Sequence, residues 1–308
     1  MQEAFQKTLS NNLKFEGIGL HSGKKSSLLI KPAKEDKGIV FKRVDLNKNN
    51  YVEASYKNVT SAKLCTTLEN DFGVKISTVE HLLAALYLAD IDNVVIEIDS
   101  DEVPIMDGSA KEFLAALQKA KTKTLPKKRK YLKIVDKIEL VDGERKISIE
   151  PCDKSLEVNF QLNYENKIIG KQKNTINFGK DNLNDVSSSR TFCLFRDIEK
   201  IKKAGLAKGG SLDNAVVVDD NNIMNSGGLR NDKEFVNHKI LDLAGDFLLS
   251  GYRIIGKVVC YQGGHELTNK FLRKLFNSKS SLKIFENKDL VFSKNISLKQ
   301  TSKIAVNA

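Results

Sequence analysis

Only four histidines occur in the 308 residues, and two of them stand where a metal site would want them. His238 lies four residues before Asp242 in FVNHKILDLAGD, and His81 closes STVEH directly after Glu80. Residues four apart on a helix project from one face, so His238 and Asp242 can grip one ion from a single helix. A second helix carrying His81 beside an acid adds a third ligand and a base. Two imidazoles, one carboxylate and an open position make a catalytic zinc site, where bound water has a pKa of about 7. Glu80 can accept that proton as the water attacks a carbonyl, which is the chemistry of amide or ester hydrolysis.

Either pair alone is ambiguous. HKILD would equally suit a solvated helix face, and a histidine opening an apolar helix often caps or packs. Leu241, Ala244 and Leu248 mark a separate core stripe, which leaves His238, Asp242 and Asp246 as a polar ladder beside it. His265, in YQGGHELTNK, follows a strand and precedes a helix, and two glycines leave its imidazole room in a loop to face a cleft. There it suits an acid that stabilises an oxyanion or protonates a leaving amine, with Asp246 on its other nitrogen. A turn histidine facing solvent is the plainer alternative. HELTN resembles the zincin HExxH, but Asn269 replaces the last His and removes that site. GIGLHSGKK matches neither the phosphate-loop nor the dinucleotide pattern, so His21 reads as structural or as a neighbour of the site.

The elements that must position these residues are legible in outline. LKFEGIG, SSLLIKP, GIVFKR and NVVIEID read as strands of a first part, with helices at about 77–89, beginning near Ser77 as N-cap, and over SAKEFLAALQKA. YLKIVDKIEL, RKISIE, SLEVNFQL and YRIIGKVVCYQ read as strands of a second part, with helices at about 232–250 and over ELTNKFLRKLF. Both parts end in the same order: a helix bearing a His, a strand, a short loop, then an amphipathic helix. From His81 to Phe113 is 32 positions and from His238 to Phe271 is 33, which suggests an internal repeat. The expected fold is therefore α+β: two pseudo-symmetric two-layer α/β sandwich domains, at 1–122 and 130–308, separated around Pro126. Such a pair brings the two His-bearing helices together at the junction, where pockets prefer to form. Two segments fall outside the repeat, at about 44–70 and 190–218. The middle of the second reads as an amphipathic helix stopped by Gly205, then a Gly-rich turn and an apolar strand.

Composition sets the bounds. Hydrophobic residues make up 41% and charged ones 29%, enough for a real core, and no window approaches the length of an apolar membrane span. The polar opening MQEAFQKTLSNN has no apolar signal region, and Cys65, Cys152, Cys193 and Cys260 form no CxxC pair. Both point to reduced thiols in a cytoplasm. The net charge of +11, with pI near 9.3, invites a nucleic-acid reading. Yet the cations are mostly Lys, spread along the chain and not interleaved with aromatics, so no stacking platform is indicated. The one dense run, KTKTLPKKRK at 121–130, reads as a solvated linker, then as a phosphate or membrane-surface patch. An anionic small substrate accounts for the excess equally well, with at most peripheral membrane contact.

Six runs in order, GIGLHSG, STVEHLLAAL, IDNVVIEIDSDEVPIMDGSA, SSRTF, FVNHKILDLAGD and GGHELTNK, resemble the UDP-3-O-acyl-N-acetylglucosamine deacetylase family of lipid A biosynthesis. The likeness spans about residues 4 to 280. It implies a zinc ion on His81, His238 and Asp242, with Fe²⁺ accepted by the same donor set. It further implies Glu80 as general base, His265 paired with Asp246 as general acid, and the Thr191 hydroxyl on the oxyanion. Phe192 would lie beside the sugar and Lys239 against the UDP part, while Leu64 and Cys65 approach the metal from the first domain. The 190–218 segment would form an acyl-chain passage walled by Phe195, Ile198, Ile201 and Val216. The family fold adds a small inserted subdomain to each domain, and a cytoplasmic monomer is expected. Two rivals remain: a zinc amidohydrolase for another acylated amino sugar, and a basic polyanion- or membrane-binding module with a vestigial metal site.

Overall fold

Period-two burial builds the first sheet. In Lys25–Pro32 the side chains of Ser26, Leu28 and Ile30 turn inward, and in Val94–Ile98 those of Val94, Ile96 and Ile98 do. The antiparallel register sets Leu28 opposite Ile98 and Ile30 opposite Ile96, so the buried rows face the same way. The computed structural model describes residues 4–286, and within it this sheet has five strands. Their order is Leu13–Ile18, Lys25–Pro32, Val94–Ile98, Ile39–Arg43 and Tyr51–Glu53. Only Ile39–Arg43 against Val94–Ile98 is parallel.

A second sheet of seven strands is organised around Arg253–Tyr261. One edge of that strand carries Leu156–Asn163 in parallel, with Lys171–Asn177 beyond it. The other edge is shared: Lys130–Ile134 runs parallel to its start and Arg145–Glu150 antiparallel to its end. Ile138–Asp142 and Leu282–Glu286 complete the sheet.

The described residues form six α-helices: α1 (Glu80–Leu88), α2 (Lys111–Lys119), α3 (Asn184–Ser188), α4 (Phe195–Lys203), α5 (Glu234–Leu248) and α6 (His265–Asn277). Leu82, Leu83 and Leu86 of α1 and Phe113 and Leu117 of α2 share a core with the first sheet, Phe113 meeting Phe15 edge-on at 4.9 Å. Against the second sheet, α5 packs on Leu156–Asn163 and Lys171–Asn177, and α6 on Ile138–Asp142 and Arg145–Glu150. The order helix, strand, helix thus recurs as α1, Val94–Ile98, α2 and as α5, Arg253–Tyr261, α6. The fold is α+β, built from several sheets with no closed barrel among the described residues.

Both segments outside the repeat are small structured units. Val59–Ser61, Thr67–Glu69 and Lys75–Ile76 form a three-stranded sheet. Phe192–Leu194 pairs in parallel with Val216–Val218, and α4 makes the crossover between them. Helix α4 ends where expected, Gly205 taking φ +79 just beyond it, and it buries none of its own residues.

The two His-bearing helices pack directly on one another, and the contact has no room for a side chain. A Cβ on Gly245 would lie 2.1 Å from the Glu80 carbonyl oxygen and 3.0 Å from the Ala84 nitrogen. Fourteen of the fifteen residues of α5 are buried, so its polar ladder is no solvated face.

Three expectations change. The run 121–130 is no linker: Thr122–Lys128 pairs antiparallel with Phe5–Leu9, an edge that alternation alone does not reveal in so lysine-rich a stretch. Arg129 at its end is buried, bonding Asp90 at 2.5 Å and Asp92 at 2.7 Å. Ser77 does not cap α1, because its hydroxyl donates to the Asp101 carbonyl and the helix begins only at Glu80. His265 sits on no loop: Gly264, extended at φ −175, caps α6, and His265 is the first residue of that helix. The part of the expected second domain at 287–308 lies outside the described residues.

A glycine-to-alanine change inside an exposed helix stabilises by about 1 kcal/mol. At Gly245 the sign should reverse: Gly245→Ala is expected to cost about 2–4 kcal/mol in denaturant unfolding by overpacking the α1–α5 contact. Burial alone would raise the Asp90 carboxyl, but the guanidinium groups of Arg253 and Arg129 outweigh it and hold it at about 2. Its stabilisation is therefore present above its ordinary value near 3.8 and lost as the pH falls through about 2. Asp90→Asn should cost about 0.5–1 kcal/mol at neutral pH, solvent screening discounted, with the gap to wild type closing in acid when melting is followed against pH.

Candidate active site

The α1–α5 contact sets two imidazoles and a carboxylate around one point. The ligand atoms of His81, His238 and Asp242 lie within 4.8 Å of one another, and all three residues are buried. Asp242 Oδ1 stands 3.3 Å from His238 Nε2 and 3.5 Å from His81 Nε2, and the two rings meet edge-on with centroids 5.0 Å apart. Asp242 Oδ1 has no hydrogen-bond partner among the described residues. A buried carboxylate oxygen aimed between two imidazole nitrogens is costly unless a cation joins it, so the donor set fits a divalent metal.

Protonation states agree with that fit. His238 Nδ1 meets the Ser189 carbonyl at 3.1 Å, which puts the proton there and leaves Nε2 as a donor lone pair. Burial pushes the His238 imidazole down to about 3, so it stays neutral. Burial would raise Asp242, but the basic groups around it, the Lys239 ammonium and the protonated His265 among them, outweigh that and hold it well below the usual carboxylate range. Lys239 donates to Asp242 Oδ2 at 2.8 Å, reserving Oδ1 for the ion site. The same ammonium lies 5.6 Å from the Phe192 ring centre, and Phe192 stands edge-on to His238 at 6.3 Å. Both residues therefore border the triad.

Glu80 and His265 flank it. His265 Nε2 is 3.7 Å from Glu80 Oε1 and 3.7 Å from Asp242 Oδ2, while its Nδ1 meets Asp246 Oδ2 at 2.8 Å. Burial pulls the His265 imidazole down, but Asp246, Glu80 and Asp242 together lift it to about 10. It is a proton donor at neutral pH. Burial raises the Glu80 carboxyl, which makes it a stronger base than a surface glutamate. The arrangement sets a protonated imidazole beside a buried carboxyl at the edge of the triad.

Other expected residues are fixed less directly. The Thr191 backbone is held between a loop and a strand, its N–H donating to the Gly108 carbonyl at 2.8 Å and its carbonyl accepting from Val216 N–H at 2.8 Å. Arg190 beside it is buried and bonds Glu234 in the first turn of α5 at 2.8 Å. Cys65 lies near Glu80, and burial pushes its thiol to about 12, so it offers no thiolate. Leu64 is 46% exposed, and Ile198 is half-buried on α4. His21 stays outside the triad, its Nδ1 accepting from Ala207 N–H at 3.4 Å.

Sequence patterns do not single out two threonines that the site uses. Thr66 is buried, its N–H donating to Glu80 Oε2 at 3.0 Å and its hydroxyl to Asp246 Oδ1 at 2.7 Å. Thr78 takes φ +57, which strains a β-branched residue by about 1–3 kcal/mol. Its hydroxyl is tied to Glu102 at 2.9 Å, and the kink starts α1 at Glu80–His81. Position beside Leu64–Cys65 and Glu80 is the sole sequence signal for either.

Comparison with known proteins identifies the family. The family model described as UDP-3-O-acyl N-acetylglycosamine deacetylase matches residues 6–277. A UDP-3-O-acyl-N-acetylglucosamine deacetylase of Geotalea uraniireducens is 42% identical over 284 residues, covering 92% of each chain. One from Pseudoalteromonas translucida is 40% identical, covering 90% of this chain and 92% of its own. Another, from Actinobacillus pleuropneumoniae, is 38% identical over 92% of this chain and 94% of its own. A match of this extent, over the residues that build the triad and its flanks, makes the chain a member of the UDP-3-O-acyl N-acetylglycosamine deacetylase family.

Proposed function

We propose that the protein is a metal-dependent amidohydrolase that removes the N-acetyl group from UDP-3-O-(3-hydroxyacyl)-N-acetylglucosamine, releasing acetate in lipid A biosynthesis. One observation carries the reading: the His81, His238 and Asp242 ligand atoms converge, with Glu80 and His265 beside them and 3.7 Å apart. The donor set takes zinc, and Fe²⁺ suits the same two imidazoles and carboxylate. Bound there, a divalent cation supplies Lewis acidity, polarising the acetamide carbonyl and acidifying water.

The side chains do the rest. Glu80 Oε1 takes a proton from the attacking water, Oε2 being held by Thr66. The Thr191 hydroxyl donates to the oxyanion as the carbonyl becomes tetrahedral. His265 Nε2 passes its proton to the amine nitrogen as the C–N bond breaks, with Asp246 steadying the ring from Nδ1. Return of the proton from Glu80 to His265, whose atoms lie 3.7 Å apart, resets both. Lys239 meets the substrate's anionic diphosphate and Phe192 its sugar. The exposed Phe195 and the half-buried Ile198 and Ile201 of α4 support an acyl passage there, with Leu64 and Cys65 at the other rim. We also propose that the halves 1–122 and 130–308 are two domains, each supplying part of the centre.

His265→Ala should fold and retain its metal yet lose turnover on the order of 10²–10³-fold, measured as acetate release from the UDP-linked substrate. Full activity in that variant would remove His265 from the reaction. Removing metal with a chelator should abolish acetate release, and one equivalent of Zn²⁺ per chain should restore it, matching the single triad. Undiminished activity in the metal-stripped protein would overturn the metal assignment.

A further inference from the structure

Thr66 joins two acidic groups that act at different stages of the reaction. Its N–H donates to Glu80 Oε2 at 3.0 Å, and its hydroxyl donates to Asp246 Oδ1 at 2.7 Å, across 180 positions of sequence. Asp246 is buried, and its other oxygen carries His265 Nδ1 at 2.8 Å. Each carboxylate therefore has one oxygen engaged by Thr66 and one facing His265: Glu80 Oε1 at 3.7 Å and Asp246 Oδ2 at 2.8 Å.

We propose that Thr66 is a positioning residue which, by holding Glu80 and Asp246 from one side, fixes the orientation of the His265 imidazole between them. The inference rests on the hydrolase reading for its kinetic consequence, though not for its structural one. A carboxylate bonded at a single oxygen can swing about its Cβ–Cγ bond and carry its partner's ring with it. The threonine hydroxyl removes that freedom for Asp246, and the ring then presents Nε2 to the cleft. The link runs from beside the small-sheet strand Thr67–Glu69 straight into α5.

Thr66→Val deletes the hydroxyl while keeping shape and the N–H, and Thr66→Ser keeps the donor. In the Val variant kcat should fall by about 10- to 100-fold, the range for loss of a supporting hydrogen bond at such a site, with KM and metal content unchanged. The Ser variant should recover most of the rate. A readout independent of turnover is the His265 Nδ1 proton resonance in the metal-free protein: its downfield position should move in Thr66→Val and return in Thr66→Ser. Unchanged kcat, an unchanged resonance, or failure of serine to rescue would overturn the proposal. Should Thr66→Val not fold, Thr66→Ala removes the same hydroxyl at less steric risk and faces the same criteria. An inactive wild-type protein would sink the hydrolase reading instead, leaving the resonance to decide the role of Thr66.

Discussion

The closeness of α1 to α5 governs this structure, because a metal triad drawn from two helices exists only if their backbones nearly touch. At Gly245 the helices approach until only a hydrogen fits against the Glu80 carbonyl. The residue whose backbone forms that contact, Glu80, also carries the carboxylate beside the triad, and His81 follows it directly. One turn before Gly245 along α5 comes Asp242, and one turn earlier still is His238. A steric event between two main chains is thereby converted into ligand spacing. Interiors are too densely packed to absorb a shift there without moving every ligand.

Burial makes that spacing electrostatically demanding. Glu80, Asp242 and Asp246 lie within one water-excluded region, and such carboxylates are costly without counter-charge. The protein meets part of the demand with Lys239 on Asp242 and a protonated His265 on Asp246. A neutral His238 contributes no charge, so the oxygen it shares with His81 remains for a cation. The features that would destabilise an empty interior are those that select an ion. They also hold the protonated His265 ring a few ångströms from the Glu80 carboxyl.

Residues whose partners lie nearby along the chain are legible from sequence alone. His238 and Asp242 share a helix face by spacing, and the core strands announce themselves by period two in SSLLIKP and NVVIEID. The matching order of helix, strand and helix is visible because each half must bury its own apolar face. What stays hidden depends on contacts far along the chain. Thr66 reaches Asp246 over a gap that no local pattern encodes, and Arg129 finds Asp90 and Asp92 from within a stretch whose lysines suggest solvent. The helical start at His265 is obscured by two glycines, which usually signal a loop and here provide an extended cap. Thr78 shows the same limit, since propensity disfavours the positive φ that the Glu102 bond sustains.

Holding α1 in register takes more than the glycine contact, because a nine-residue helix has little stability of its own. The second sheet supplies the rest. Arg253, at the start of the central strand, donates to the Tyr87 and Ile91 carbonyls at 2.7 and 3.0 Å, closing the C-terminal end of α1 with a positive charge where the helix dipole favours one. Its guanidinium also stacks 4.5 Å above the Tyr87 ring. From α6, Asn269 donates to the Tyr56 carbonyl and Arg273 to those of Lys57 and Val59, anchoring the segment that leads to Thr66. The first half therefore contributes Glu80, His81 and Thr66, but their positions are enforced by side chains of the second half, and the triad with its flanks is a property of the assembled pair.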